Sequence, residues 1–241
     1  MLERAFLVRH GQSEGNVIED DCRENSANER TIQDIDWDAD DWNLTEVGRA
    51  QSVQTGAYLR AVGLDSGNCE IWTSPLSRAR ETASHLGLIA VSKVVDSLYE
   101  RRTVNVSYMD IREAVRSASS EKEARRIAMR DTFNERVEPL ETMLERISPV
   151  VDRLKEEDKP NIVIVSHGYI MLGMRALLEE LDEEQITGIF RGGSVVNSRQ
   201  TRNGDIHIYN KSNPEGRFTS RQHIGPSDGY VSNVVALPRH R

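Results

Sequence analysis

Apolar positions along this chain fall into short unbroken runs and longer periodic stretches, and the two alternate. The runs Ala5-Phe6-Leu7-Val8 and Ile162-Val163-Ile164-Val165 are continuous rather than alternating, which is the pattern of strands buried on both faces. Strands are predicted at Ala5–Val8, Glu70–Thr73, Val91–Val95, Asn161–Val165, Ser194–Ser198 and Asp205–Tyr209. Helices are predicted between them. Thr45–Arg60 carries Val47, Ala50, Val53, Ala57 and Tyr58 at helical spacing. Pro75–Leu86 opens with proline near a helix start, where its missing N–H costs nothing. Ile170–Leu181 follows a His-Gly pair. Strands alternating with helices predict an α/β fold, a three-layer sandwich with a mostly parallel central sheet flanked by helices.

Two stretches break that rhythm. From Asp110 to Glu157 there is little strand signal, and helices are predicted over Glu121–Met129 and Val137–Lys155. The second has Leu140, Met143, Leu144, Ile147 and Val151 on one stripe. Within a single domain spanning residues 1–241, this predicts a helical cap insertion at about 101–157; plain surface packing is the competing reading. Val17–Asn43 has no periodicity and is acidic at Asp34-Ile35-Asp36-Trp37-Asp38-Ala39-Asp40-Asp41-Trp42. A loop this long without its own structure is often functional. Its alternating aspartates begin like a calcium loop, but Ala39 and Thr45 stand where glycine and glutamate are needed. The expectation is a solvated loop with Trp37 or Trp42 tucked onto the protein. From Asn210 onward, polar residues, glycine and proline predict loop or tail.

Composition narrows the function classes. A net charge of −8 argues against general nucleic-acid binding, and an anionic substrate has to be drawn in by local positive charge. No run approaches the length of a membrane span. Met1-Leu2-Glu3-Arg4-Ala5-Phe6 leads straight into a strand without a signal-peptide layout, and the two cysteines, Cys22 and Cys69, suit a reducing compartment. The expected location is the cytoplasm.

The candidate chemistry sits where two strands stop. Arg9-His10-Gly11 follows the first and Ser166-His167-Gly168 follows the fourth, and ligands bind in the crevice beyond the carboxyl ends of such strands. Phosphoryl transfer needs an in-line nucleophile, cations on the dianion's oxygens, and an acid for the departing alkoxide. There is no HExxH, CxxC or P-loop pattern to suggest a metal route. Neutral imidazole is a competent nucleophile near pH 7, and His10 is the candidate. Arg9 can fork onto two phosphate oxygens, Gly11 permits close backbone approach, and Asn16 can donate an amide hydrogen bond. In Thr73-Ser74-Pro75-Leu76-Ser77-Arg78-Ala79-Arg80, Arg78 falls in the first turn of a helix, whose N-terminus favours anions, whereas Arg80 points away. His85, His207, His223 and His240 are scattered and are expected to be surface or satisfied histidines.

Taken in order, Arg9-His10-Gly11, Leu44-Thr45-Glu46-Val47-Gly48-Arg49-Ala50-Gln51, Ser74-Pro75-Leu76-Ser77-Arg78-Ala79 and Ser166-His167-Gly168 resemble the histidine phosphatase superfamily, in its phosphoglycerate mutase-like branch. The matched motifs span residues 4 to about 198. The resemblance implies that His10 becomes phosphorylated and that Arg9, Arg78 and His167, assisted by Asn16, hold the phosphoryl oxygens. It also implies a carboxylate proton donor after the third strand. Leu98-Tyr99-Glu100-Arg101 resembles the mutase pattern Leu-Asn-Glu-Arg and assigns that role to Glu100. Arg9, Arg78 and a protonated His167 would then offset the phosphoryl charge of about −2. No cofactor is implied.

Departures from the mutase pattern favour a phosphatase. Mutases carry Trp-Asn after the nucleophile loop, where this chain has Gly15-Asn16; they continue from the acid with His-Tyr-Gly, where it has Arg102-Thr103-Val104. The expectation is a metal-independent phosphomonoester phosphatase acting on a small molecule. A cofactor-dependent phosphoglycerate mutase is the alternative, and a catalytically idle phospho-ligand binding protein the lesser one. Arg101, Arg102 and Arg112 could take a second anionic group or pair with nearby carboxylates. A homodimer is compatible with the sequence, which does not fix the oligomeric state.

Overall fold

The two continuous apolar runs become neighbouring strands in the middle of one sheet. In the computed structural model, which describes residues 2–18, 42–101, 114–130, 138–191, 201–211, 218–225 and 233–236, β1 (Arg4–Arg9) pairs in parallel with β4 (Asn161–Ser166), placing Arg9 opposite Ser166. The remaining strands are β2 (Cys69–Thr73), β3 (Val91–Val94), β5 (Ile206–Asn210), β6 (Ser220–Ile224) and β7 (Asn233–Ala236). Their order across the sheet is β3-β2-β4-β1-β5-β6-β7. The β3-β2-β4-β1 half is parallel, and β5, β6 and β7 extend it by antiparallel pairings. The predicted strand Ser194–Ser198 lies outside the described residues.

Apolar residues cover both faces. Phe6, Val8, Ile71, Val163 and Val165 project to one side, against α1 (Glu46–Ala61) and α2 (Ser77–His85). Ala5, Leu7, Trp72, Ile162 and Ile164 project to the other. There they meet α4 (Leu140–Glu156) and α5 (Gly168–Leu178), with α3 (Glu121–Arg130) and α6 (Glu183–Arg191) packed alongside. This is the expected three-layer arrangement. No helix among the described residues is long and apolar enough to cross a membrane.

Helix α1 forms where its pattern predicts, capped by Thr45, whose hydroxyl accepts the Gly48 N–H at 3.0 Å. Its buried face, however, is not the predicted apolar stripe. Val47 and Val53 are exposed, and Gly48, Ser52, Thr55, Gly56 and Leu59 face inward. The reason is close backbone approach. A Cβ on Gly48 would lie 2.0 Å from the Gln12 carbonyl oxygen, and one on Gly56 would lie 1.8 Å from that of Leu86. Small residues let α1 press against the nucleophile loop and against α2, and larger apolar residues there would hold it away.

In the inserted segment, α4 buries Leu140, Met143, Ile147, Val150, Val151 and Leu154 and packs on α5, close to its predicted stripe. It is part of the layer that flanks the sheet. Residues 102–113 and 131–137 of the predicted cap, with Arg102 and Arg112, lie outside the described residues, as does the acidic stretch up to Asp41. Trp42 is half-buried and packs over Gly15, where a Cβ would stand 3.2 Å from its ring. The chain after Asn210 corrects the expectation of loop or tail, since it supplies β6 and β7.

Candidate functional site

The register of β1 and β4 sets the site. Because Arg9 faces Ser166, the next residues, His10 and His167, leave the sheet side by side. The His10 N–H donates to the Ser166 carbonyl at 2.9 Å, and the two imidazole centroids are 5.1 Å apart. Both rings are buried.

His10 is held in one protonation state. Its Nδ1 lies 2.7 Å from the Gly11 carbonyl oxygen, which can only accept, so Nδ1 carries the proton and Nε2 keeps the lone pair. Burial, followed by the charges of Arg78 and Arg9, holds its pKa well below the usual imidazole range. The ring is therefore neutral near pH 7, with Nε2 as the nucleophilic nitrogen.

The expectation of a protonated His167 concerns a pocket that holds a phosphoryl group, whose charge would favour the protonated ring. Burial, then the charges of Arg78, His10, Arg9 and Arg146, push its pKa well down, so it is neutral in this structure. Its Nε2 sits 2.7 Å from Ser74 Oγ and its Nδ1 4.0 Å from Glu100 Oε2. The Ser74 hydroxyl also accepts the Leu76 N–H at 3.3 Å, which leaves it one hydrogen to give and one lone pair to accept with. The His167 Nδ1, on the side of Glu100, has no hydrogen-bond partner among the described residues. In this structure the positive charge of the pocket comes from Arg9 and Arg78.

Arg78 stands in the first turn of α2, buried, and its charge acts on His10, His167 and Glu100 alike. Arg80, two residues on, is exposed. Arg9 donates through Nη1 to the Thr201 carbonyl, while its buried Nε has no hydrogen-bond partner among the described residues. Glu100 follows a single 3-10 turn, Asp96–Leu98, after β3, and Oε1 accepts the Arg101 N–H at 2.9 Å. Burial raises its pKa, against the opposing pull of that N–H and of Arg78, Arg9 and Arg146. The carboxyl is thereby biased toward the protonated form a general acid needs. Asn16 Oδ1 accepts from the Ser13 N–H at 3.1 Å and from Asn203 Nδ2 at 3.0 Å, which fixes the amide beside the nucleophile loop.

Several contributors carried no assigned role in the sequence. Ser74 orients His167, Thr82 Oγ1 accepts the Gly11 N–H at 3.0 Å, and Asn203 Nδ2 donates to the His10 carbonyl at 3.1 Å. Ser74 and Thr82 lie within or just beyond the Ser74–Ala79 motif, whereas Asn203 sits in a turn with no distinguishing pattern. Of the remaining histidines, His207 and His223 are buried and partnered, by Thr201 and Asp205 respectively; His85 lies 3.8 Å from Glu81 at the surface end of α2, and His240 is outside the described residues.

The family model described as the histidine phosphatase superfamily (branch 1) matches residues 5–204. A search of curated proteins gives no significant match. Among solved structures, the chain is similar to the product of an open reading frame of Mycobacterium tuberculosis at 17% identity, covering 98% of this chain and 96% of that one with a TM-score of 0.62. It is similar to a mycobacterial glucosyl-3-phosphoglycerate phosphatase at 21% identity, covering 90% and 95% with a TM-score of 0.61. It is also similar to YhfR of Bacillus stearothermophilus at 20% identity, covering 89% and 93% with a TM-score of 0.59. At these identities the likeness is one of fold.

Proposed function

Because the chain belongs to the histidine phosphatase superfamily (branch 1), we propose that it is a metal-independent phosphomonoester phosphatase working through a phosphohistidine on His10. The observation that carries this reading is the locked neutral tautomer of His10, with its Nδ1 proton on Gly11 and its Nε2 lone pair free for attack. In the first step Nε2 bonds to phosphorus as the ester P–O bond breaks, and Glu100 gives its proton to the departing alkoxide. In the second, water attacks phosphorus, Glu100 takes the water's proton, and the P–N bond breaks to release phosphate. Arg9 and Arg78 hold the phosphoryl oxygens together with His167 and Asn16. Placing fixed charges where charge develops is usually the largest catalytic contribution.

The substrate class in this reading is a small-molecule phosphomonoester, and the fold relative named for glucosyl-3-phosphoglycerate supports including sugar and glycerate phosphates in a panel. The mutase reading is weaker here because the aromatic residue expected after the nucleophile loop is replaced by Gly15, over which Trp42 packs. Hydrolysis of p-nitrophenyl phosphate by EDTA-treated protein, with an acid-labile phosphoenzyme that His10→Ala abolishes, is the expected result. Strict metal dependence, or a His10→Ala variant as active as the parent, would overturn it. Stimulation of 3- to 2-phosphoglycerate conversion by the bisphosphate would move the assignment to the mutase.

A further inference from the structure

We propose that Arg146, on α4, is a positioning residue for the proton-transfer step: it clamps the backbone just before Glu100, while its partner Glu138 holds the Arg101 side chain just after, and so sets the aim of that carboxyl. The inference rests on Glu100 being the acid.

Glu100 has little secondary structure of its own to hold it. Beyond the bond from the Val95 N–H to the Thr73 carbonyl at 2.8 Å, β3 gives way to one 3-10 turn and then to irregular chain. Leu98 anchors the turn by burial, and its carbonyl accepts the Ser166 hydroxyl at 3.0 Å. Further bonds to this segment come from Arg146 within α4 and from Glu138 ahead of it, and the Arg101 guanidinium lies 4.8 Å over the Tyr169 ring of α5. Arg146 Nη1 donates to the Ser97 carbonyl at 2.6 Å and to the Tyr99 carbonyl at 2.9 Å. Its Nε and Nη2 form a two-point pair with the Glu138 carboxylate at 2.9 and 2.8 Å. The Glu138 backbone carbonyl in turn accepts Arg101 Nε at 2.7 Å. The residue before Glu100 and the residue after it are therefore both tied to the Glu138–Arg146 pair.

Only arginine suits this position. Four directed bonds spread over three nitrogens need a planar fork, and a lysine ammonium cannot reach two carbonyls and pair at two points with a carboxylate in that geometry. Two of the four bonds go to the 3-10 turn and the residue after it, directly ahead of the acid, so their loss would be felt first in the aim of Glu100. The charge of Arg146 also tempers the rise in pKa that burial imposes on Glu100. The inserted helix, whatever its peripheral residues do for substrate choice, has a direct hold on the chemistry.

Leaving-group dependence separates this role from simple scaffolding. A poorly placed acid penalises alkyl phosphates, whose alkoxide needs the proton, far more than p-nitrophenyl phosphate, whose leaving group does not. We would measure kcat/KM, which reports the first phosphoryl transfer, for p-nitrophenyl phosphate and β-glycerophosphate. The proteins compared are the parent, Glu100→Gln, Arg146→Gln, Arg146→Lys and the Glu100→Gln/Arg146→Gln double variant. Glu100→Gln is expected to widen the aryl-to-alkyl ratio by about 100-fold, the scale of general-acid catalysis. Arg146→Gln is expected to widen it by about tenfold, with Arg146→Lys behaving similarly, and to widen it by less than about twofold further when added to Glu100→Gln, because both changes act through one group. An equal loss on both substrates, or a full Arg146→Gln effect on top of Glu100→Gln, overturns the positioning role while leaving the acid in place. An unchanged ratio in Glu100→Gln overturns the acid itself, and the positioning role with it. Should Arg146→Gln fail to fold, Glu138→Gln, which removes the carboxylate that steadies Arg146, is read in the same way.

Discussion

His167 Nε2 lies 2.7 Å from the hydroxyl of Ser74, and both side chains are fully buried. That hydroxyl also accepts the Leu76 N–H at 3.3 Å. If its hydrogen is given to Nε2, the proton of the neutral imidazole stands on Nδ1, on the side of Glu100. Ser74→Ala removes this constraint and leaves Nε2 buried without a partner, a loss of about 1–3 kcal/mol. The expected outcome is about tenfold weaker inhibition by orthovanadate and inorganic phosphate, with a matching fall in kcat/KM. Unchanged inhibition constants would show that another group sets the tautomer.

Three buried histidines make stability depend on pH. Burial is the largest cause of depression for each; the charge of Arg78 follows for His10 and His167, and that of Arg175 for His207. The unfolded chain protonates these rings below about pH 6.5 while the native state does not, so the unfolded state binds more protons. Stability therefore falls as pH drops through 6.5, by up to about 1.4 kcal/mol per pH unit for each ring until its folded pKa is reached. Glu100 works in the opposite sense, because its raised pKa lets the native state take up a proton before the unfolded chain does, but it is one group against three. Urea midpoints measured from pH 7.5 to 5 should drop steeply below 6.5. His207→Gln should show a shallower slope, and an equal slope in that variant would remove His207 from the account.

The sequence reveals what local pattern and chemistry dictate, and little of what long-range pairing dictates. Continuous apolar runs mark β1 and β4 because both faces of those strands are covered, and the histidines that end them are legible for the same reason. Strand β6 reads Ser220-Arg221-Gln222-His223-Ile224 and looks like loop. It is a strand because Arg221 meets Glu179 at 2.9 Å and the His223 and His207 rings pack at a tilt with centroids 4.7 Å apart, partners that are distant along the chain. Helix α6 does carry a local signal: Asp182 and Gln185 cap each other reciprocally, with N···O distances of 2.9 and 2.8 Å, at the start of an amphipathic stretch. The protonation of His167 in this structure could not be read from sequence, because its burial and its bond to Ser74 exist only in the fold.

The close approach of α1 to the nucleophile loop gives a packing prediction. Gly48 faces the Gln12 carbonyl so closely that any side chain would collide with backbone, and a Cβ on Gly11 would stand 2.3 Å from the Gly48 carbonyl oxygen. Gly48→Ala has to push the helix and the loop apart. Overpacking of this kind costs about 1–3 kcal/mol, and the helix propensity gained by alanine, about 1 kcal/mol, does not offset it fully. The variant should melt lower and lose at least about tenfold in kcat/KM, because the shift moves His10 itself. Val53→Ala, on the exposed face of the same helix, should change neither. A Gly48→Ala protein with parental melting temperature and activity would show that the loop yields freely.

Arg9, the proposed phosphate ligand, is steadied by a relay of bonds that reaches β5. Its Nη1 donates to the Thr201 carbonyl, and Thr201 Oγ1 lies 3.2 Å from His207 Nε2. His207 Nδ1 is 3.3 Å from Arg221 Nη1, and since a guanidinium only donates, Nδ1 must accept and Nε2 must carry the proton that bonds Thr201. Arg221 is held by Glu179, which also accepts the Tyr209 hydroxyl at 2.6 Å. His207→Phe keeps the ring volume but removes the donor to Thr201, and it leaves the buried Arg221 short of an acceptor. The expected result is weaker phosphate binding, a rise of about fivefold in the inhibition constant for phosphate, in line with the loss of about one hydrogen bond. kcat should change less than KM, since Arg9 would remain charged but less firmly placed. His207→Gln, whose amide can accept from Arg221 and donate to Thr201, should retain most of the affinity. Equal losses in the two variants would mean that His207 serves packing alone.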